Sequence, residues 1–129
     1  MQPPATLGDA LRSAARHAPG DAALVGDGGT LTWAALAERV HQIAAVLRRL
    51  ALADKAAGRV QGGGRPHPHA VALRPDREDV IVLLAHAVAG IPLLPLHPAL
   101  PEADAARLAA TAGARRLTPD QCRPDAPAA

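Results

Sequence analysis

The stretch from Asp79 to Leu100, DVIVLLAHAVAGIPLLPLHPAL, constrains the fold most, because it alone is apolar enough to form the centre of a core. Its first half has apolar residues at helical spacing, namely Val80, Leu83, Leu84, Ala87 and Val88. Gly90 then supplies the left-handed conformation in which helices commonly end. We therefore predict a helix from Asp79 to Ala89 and expect the other elements to pack around this stretch.

The residues from Ile91 to Leu96 follow as a run of large aliphatic side chains without polar alternation. Such a run suits a short strand that is covered on both faces, as in a parallel sheet flanked by helices. Pro92 and Pro95 cannot donate to a β ladder, so we expect this strand at an edge of the sheet. The chain then turns from His97 to Pro101, and a proline is well suited to the first position of another helix.

Length and composition allow one domain with a modest core. The 129 residues are 49% hydrophobic but only 1% aromatic, so packing has to rely on Leu, Val and Ala, with Trp33 as the only aromatic residue. The net charge is +2 and the arginines are scattered among 12 acids, which disfavours nucleic acid as a partner. Cys122 is alone, which excludes an internal disulfide and a cysteine-based metal site.

No targeting or membrane segment is predicted. The amino-terminal sequence MQPPATLGDALRSAARH lacks the apolar core of a signal peptide. The longest apolar run is interrupted by His86, Gly90, Pro92 and Pro95, so it does not resemble a membrane span. We therefore expect a cytoplasmic location.

The amino-terminal part is predicted to form a helix and a β-hairpin. Thr6 and Asp9 form a capping-box pattern at the start of a helix that runs to about His17. Two short β-prone runs follow, Ala22–Val25 and Thr30–Thr32, and the turn sequence GDGG separates them. This arrangement is typical of a hairpin.

The longest predicted helix begins after its N-cap, Thr32. Its apolar stripe comprises Trp33, Leu36, Val40, Ile43, Ala44, Leu47 and Leu50. From Ala51 to His69 the periodicity dissolves into ALADKAAGRVQGGGRPHPH, with three consecutive glycines and alternating His and Pro. That composition predicts a flexible surface loop.

Strands and helices alternate along the rest of the chain. Ala70–Leu73 is predicted to be a strand, Asp76 caps the central helix, a weaker helix follows Pro101, and Ala114–Leu117 is the last strand. Such alternation with short connections implies right-handed crossovers and a parallel sheet with helices on its faces. The predicted fold class is therefore α/β, with a partial parallel sheet, flanking helices, and an amino-terminal helix and β-hairpin.

The predicted domain covers residues 1–117 and includes the loop 51–69. The remaining residues, 118–129, are polar and rich in proline. We expect them to form a disordered tail.

Two motifs in the predicted loop suggest sites but fit simpler roles better. Gly62-Gly63-Gly64-Arg65 offers backbone N–H groups to an anion, yet it lacks the Gly-Lys-Ser/Thr ending and the strand-to-helix context of a phosphate loop, which favours a linker. His67 and His69 could pair on a metal ion, but the sequence places no third ligand near them. We expect both side chains to be exposed to solvent.

Four other residues have titratable side chains at positions of interest. His86 lies on the central helix, where a surface-facing or hydrogen-bonded core imidazole is favoured over a catalytic base. His97 lies in the turn at the carboxyl end of a strand, the edge at which ligands of open α/β sheets bind. Glu78 and Asp79 begin a helix, where acids favour the helix dipole. We therefore assign no catalytic, cofactor-binding or metal-binding residue.

The order of these elements resembles the amino-terminal portion of the adenylate-forming, or AMP-binding, superfamily, which includes acyl- and aryl-CoA ligases and peptide-synthetase adenylation domains. The matching segments are Thr6–Leu11 with His17–Leu24, Leu31–Val40, and Val71–Leu73 through to Gly90–Pro101. The second segment usually reads Thr-Tyr-x-x-Leu in the family, so Trp33 stands where a tyrosine is common. The resemblance covers about residues 6 to 117.

The resemblance implies that full-length relatives use ATP and Mg²⁺ to convert a carboxylate to an acyl-adenylate and transfer the acyl group to CoA or another thiol. The family's phosphate loop and catalytic lysine lie downstream of the matching segments, and Lys55 is in the wrong context to replace that lysine. The loop 51–69 and Arg74-Pro75-Asp76 also depart from the family pattern. These departures suggest a truncated, decaying or split ligase that holds no cofactor and is inactive alone.

Whether this chain is itself an enzyme stays open at this point. The expected partners are the remainder of the enzyme or a carrier protein. The alternative to a truncated ligase is a non-catalytic interaction module that pairs with a separately encoded remainder of an adenylation enzyme.

Overall fold

A computed structural model of the chain describes residues 6–59 and 64–124. The helices are α1 (Leu7–His17), α2 (Trp33–Ala56), α3 (Arg77–Ala89) and α4 (Glu102–Ala112), with a final 3-10 helix at Pro119–Cys122. The strands are β1 (Ala22–Gly26), β2 (Gly29–Thr32), β3 (His69–Ala72), β4 (Leu93–Leu96) and β5 (Arg115–Leu117). The predicted α/β fold is confirmed.

The strands form two sheets. β1 and β2 pair as the predicted antiparallel hairpin. β4, β3 and β5 form a parallel sheet in that order, so the strand that contains Pro95 lies at an edge, as its missing N–H predicts. His69 pairs with Leu93 on one side and with Arg115 on the other.

Helices cover both faces of the parallel sheet. On one face, α2 and α3 pack on each other and, with α1, on the larger core cluster, whose fully buried members include Val40, Leu47, Val71 and Ile81. On the other face, α4 places Ala105 and Ala109 against Ala70 and Leu96. Successive residues of β3 therefore serve opposite faces, as the two-residue period of a strand requires.

Local capping signals act where the sequence predicts them. The Thr6 and Asp9 side chains form a capping box at α1, and Thr32 accepts a hydrogen bond from the N–H of Ala35 at 3.2 Å. Asp76 caps α3 by accepting from the N–H of Asp79 at 2.9 Å. Gly90 ends α3 with φ of 73°, a conformation that is strained for residues with a Cβ.

The buried face of α3 differs from the residues whose spacing predicted the helix. Ile81, Val82 and Ala85 are fully buried, whereas Leu83 is 42% exposed. Because α3 is apolar on almost every side, the spacing of its apolar residues predicts a helix but not which face is buried. That choice depends on the position of the sheet and of α2.

The structure differs from prediction in two further segments. The first part of the expected loop 51–69 belongs to α2, which continues to Ala56 because Ala, Leu and Lys are strong helix formers. The expected tail 118–129 begins with a capped 3-10 helix, and Cys122 is fully buried in the core. Residues 60–63, which include Gly62 and Gly63, and residues 125–129 lie outside the described residues, so the domain limits stay a prediction.

Among the residues that the structure describes, no helix is long and apolar enough to cross a membrane.

Candidate functional site

The carboxyl ends of the three parallel strands meet at one edge of the sheet, where ligands of open α/β folds bind. A cleft of about 530 Å³ opens at this edge. It is lined by Ala72, Arg74, Asp76, Glu78, Asp79, Pro98, Pro119, Asp120 and Arg123. We call this the sheet-edge cleft.

The acids at the start of α3 are already used by the backbone. Asp76 caps the helix, and Asp79 Oδ2 accepts a hydrogen bond from the N–H of Arg74 at 2.7 Å. Asp79 is only 6% exposed. These bonds fix the chain between β3 and α3.

Glu78 joins α3 to α2 through Arg39. Arg39 Nη1 donates to Glu78 Oε1 at 2.9 Å, and Nη2 pairs with the other carboxylate oxygen. The Arg39 hydrogen bonds lower the pKa of Glu78, and the same bonds raise the pKa of Arg39. On the opposite wall, Arg123 Nη1 donates to Asp120 Oδ1 at 2.6 Å. All four carboxylates of the sheet-edge cleft thus have a partner within the protein.

His97 lies at this edge, but the cleft lining includes Pro98 and not His97 itself. Its side chain is exposed, and Nδ1 accepts a hydrogen bond from the N–H of Ala99 at 3.0 Å. This bond supports the turn between β4 and α4. Contact of His97 with a ligand stays a prediction.

A second polar cluster lies at the opposite, amino-terminal edge of the sheet. His69 and His86 are 0% and 1% exposed, and His69 Nδ1 lies 2.9 Å from His86 Nε2. The prediction that His69 is exposed is therefore wrong. Of the two placements predicted for His86, the structure shows the hydrogen-bonded core imidazole and not the surface-facing one. The neighbouring Asp54, on α2, is 1% exposed and accepts from Arg115 Nη1 at 2.7 Å.

Sequence reasoning missed this cluster because it assigned Asp54 and His69 to one flexible loop. The extension of α2 places Asp54 one turn after Leu50, and β3 begins at His69 and not at Ala70. Because side chains alternate along a strand, His69 and Val71 lie on one face of β3 and Ala70 lies on the other. The shared face with Val71 is the sequence signal that indicates burial of His69.

Burial also decides the chemistry of the lone cysteine. Desolvation raises the pKa of Cys122 to about 11, and the thiol donates to the carbonyl of Thr118 at 3.6 Å. Thiolate is the reactive form of cysteine, so this residue is not a nucleophile near neutral pH. Within the described ranges, no group of three or more His, Cys, Asp or Glu residues could hold a metal ion.

The comparison with protein families identifies the scaffold that carries these features. The family model described as AMP-binding enzyme matches residues 11–128, which is most of the chain. The chain belongs to the AMP-binding enzyme family. The resemblance drawn from the sequence is thereby confirmed, and a search of curated protein sequences returned no match.

Two solved structures share the fold. The amino-terminal subdomain of NpsA from Klebsiella oxytoca superposes with a TM-score of 0.73 at 20% identity over 96% of this chain and 34% of that one. The AMPPNP-bound form of FmoA3, a nonribosomal peptide synthetase, gives a TM-score of 0.73 at 24% identity over 98% of this chain and 14% of that one.

An artificially fused adenylation–PCP di-domain, NpsA-ThdA from Klebsiella oxytoca, gives a TM-score of 0.70 at 23% identity over 91% of this chain and 20% of that one. The chain therefore spans about a third of the length of the NpsA subdomain and less of the NpsA-ThdA fusion and of FmoA3. Its fold matches the amino-terminal portion of an adenylation domain.

Proposed function

We propose that this chain is the amino-terminal scaffold of an adenylate-forming enzyme and has no adenylation activity by itself. The complete enzyme would activate a carboxylate with ATP and transfer the acyl group to a thiol. The neighbours are named as peptide-synthetase proteins, including a PCP fusion, so we favour a carrier-bound thiol over CoA as the acceptor. An acyl- or aryl-CoA ligase is the second possibility within the same reaction class.

The sheet-edge cleft carries this proposal, because its charged groups serve the scaffold. Asp76, Glu78, Asp79 and Asp120 each accept a hydrogen bond from an arginine side chain or a backbone N–H. Four carboxylates against two arginines make the lining acidic, which opposes the binding of a triphosphate. The cleft residues therefore do not fit ATP. We assign the binding of ATP and Mg²⁺ to other parts of the complete enzyme.

Pyrophosphate exchange tests the lack of activity. The purified chain is incubated with ATP, Mg²⁺, labelled pyrophosphate and a panel of aromatic and aliphatic carboxylates, with the NpsA adenylation domain as the positive control. We expect exchange at the level of the buffer blank for every carboxylate. Exchange that depends on a carboxylate and on this chain would overturn the proposal.

The open side of β5 supports the alternative role as an interaction module. β5 pairs with β3 on one side and has no strand on its other side among the described residues. The N–H of Arg115 points to β3, where it donates to the carbonyl of Pro68 at 2.8 Å, so the N–H of Arg116 points to the open side. An unpaired edge is a template for another strand, which the remainder of the enzyme would supply.

Co-purification tests the pairing with a matched pair of variants. The chain is co-expressed with the coding sequence that follows residue 129. Arg116→Pro removes the outward N–H, and Arg116→Ala removes only the side chain and its ion pair with Glu102. We expect the proline variant to lose the partner and the alanine variant to keep it. Equal recovery of the partner with both variants would contradict strand addition at β5.

A further inference from the structure

The buried cluster at the amino-terminal edge of the sheet joins four elements of the fold. Asp54 comes from α2, His69 from β3, His86 from α3 and Arg115 from β5. His69 and Arg115 are directly paired residues on neighbouring parallel strands, so their side chains share a face of the sheet. The cluster therefore lies where α2 and α3 meet the strands.

The hydrogen bonds indicate which nitrogen of each neutral imidazole carries the hydrogen. His86 Nδ1 lies 2.9 Å from the carbonyl oxygen of Val82, so this nitrogen carries the hydrogen. Nε2 of a neutral His86 is then an acceptor, and Nδ1 of His69, 2.9 Å away, has to be the donor. When both rings are neutral, each therefore carries its hydrogen on Nδ1.

These two hydrogen bonds leave one ring nitrogen with a free lone pair, Nε2 of His69. That atom is buried and has no hydrogen-bond partner in the described part of the chain. Oδ2 of Asp54 is buried and unpartnered in the same way, whereas Oδ1 accepts from Arg115 and from Arg59. Buried polar atoms without partners are rare, because each one costs free energy on folding.

We propose that Asp54, His69 and His86 form an acid-sensitive latch that holds α2 and α3 against the amino-terminal ends of β3 and β5 at neutral pH and releases them on acidification. Of the two rings, the vacant position for a proton is Nε2 of His69. A proton at that position would charge a ring that is 0% exposed, and burying a charge is unfavourable.

Among the described residues, four titratable or charged side chains act on His69. Asp54 favours a proton on His69, whereas His86, Arg115 and His67 oppose it. Burial is the largest effect and lowers the pKa of His69 to about 4; burial also lowers the pKa of His86. The protonated form is therefore less stable in the folded chain than in the unfolded one, which makes the latch open in acid.

Imidazole ¹⁵N spectra of the unmodified chain test the tautomers directly. We expect both His69 and His86 to carry the hydrogen on Nδ1 near neutral pH, and His69 to titrate with a midpoint of about 4. A hydrogen on Nε2 of His86, or a His69 midpoint at the ordinary value of about 6.5, would overturn the proposal. This measurement needs no variant and so does not depend on one that folds.

Chemical denaturation at several pH values tests the latch itself. The double variant His69→Phe/His86→Leu removes both imidazoles, so no group is left unpaired between them. We expect the stability of the wild type to fall between about pH 6.5 and about pH 4, and we expect no such fall in the double variant. His97→Gln, at the opposite edge, serves as the matched control and should keep the wild-type profile. A double variant with the wild-type profile would refute the latch.

Discussion

At the carboxyl-terminal edge of the sheet, four carboxylates line an open cleft, and each accepts a hydrogen bond from within the protein. At the amino-terminal edge, Asp54, His69 and His86 are almost completely buried, and two of their polar atoms have no partner among the described residues. In the cleft, the carboxylates stay charged because each has a partner and lies near water. In the latch, the imidazoles stay neutral because burial disfavours their charged form.

The two edges should respond differently to pH and to mutation. Ion pairs near water are screened and contribute little, whereas a buried group that must stay neutral, or a buried charge that loses its partner, has a large effect. We therefore expect the amino-terminal edge to dominate the response of the chain to acid, although the carboxyl edge holds more charged side chains.

The largest expected effect is the loss of stability in acid. The unfolded chain protonates His69 at about pH 6.5, whereas the folded chain does so only at about pH 4, so stability is complete above about pH 6.5 and falls as the pH drops to about 4. The expected loss is about 3 kcal/mol in the free energy of unfolding, to which His86 adds in the same direction. Urea denaturation across this range measures it. A flat profile would contradict the assignment of neutral, buried imidazoles.

The next effect concerns the wall of the cleft formed by the 3-10 helix. Because burial raises the pKa of Cys122 to about 11 from 9.0, the folded chain should contain about a hundredfold less thiolate than the unfolded chain. A thiol reagent should therefore react at least that much more slowly with native than with urea-unfolded protein. Equal rates would show that the residues after Leu117 are not packed on the core.

The third-largest effect is expected when a buried carboxylate loses its main partner. Arg115→Met keeps the apolar stem but leaves Asp54 with Arg59 alone, at 3.3 Å, so we expect a loss of about 2 kcal/mol in the free energy of unfolding. Arg107→Met, which breaks an exposed pair on α4, is the matched control and should change stability by less than about 0.5 kcal/mol. Similar losses for both variants would remove the distinction between the buried and exposed pairs.

The smallest effect is expected at the cleft. Arg39→Met breaks the pair with Glu78, whose two side chains are each 35% exposed, so we expect a loss of at most about 1 kcal/mol. Part of this loss should disappear at high salt, because screening already weakens the pair in the wild type. Thermal denaturation with and without added salt measures both. A loss larger than that of Arg115→Met would reverse the comparison between the two edges.

Much of the fold could be predicted from local signals. Thr6, Thr32, Asp76 and Gly90 mark helix ends by chemistry that acts within a few residues, and they do so in the structure. Pro95 likewise indicates an edge strand because it lacks an N–H. Such signals involve only neighbouring backbone atoms, so they need no knowledge of the packing.

Little of either site could be predicted, since each depends on contacts between distant segments. The segment that contains Asp54 has no local signal of burial, and only the register between β3 and β5 brings Arg115 to it. Cys122 belongs to a polar, proline-rich sequence, yet the capped 3-10 helix turns its side chain into the core. Burial is a property of the assembled layers and not of the segment.

The order of helices and strands, the parallel α/β fold and the family can be read from the sequence, because periodicity, capping and turn residues are local and recur in relatives. The stretch from Asp79 to Leu100 was central to all three. Only the tertiary structure decided which face of α3 is buried and which histidines are enclosed. The reason is that an almost uniformly apolar helix has no preferred face until the sheet and α2 supply one, and with that choice His86 meets His69.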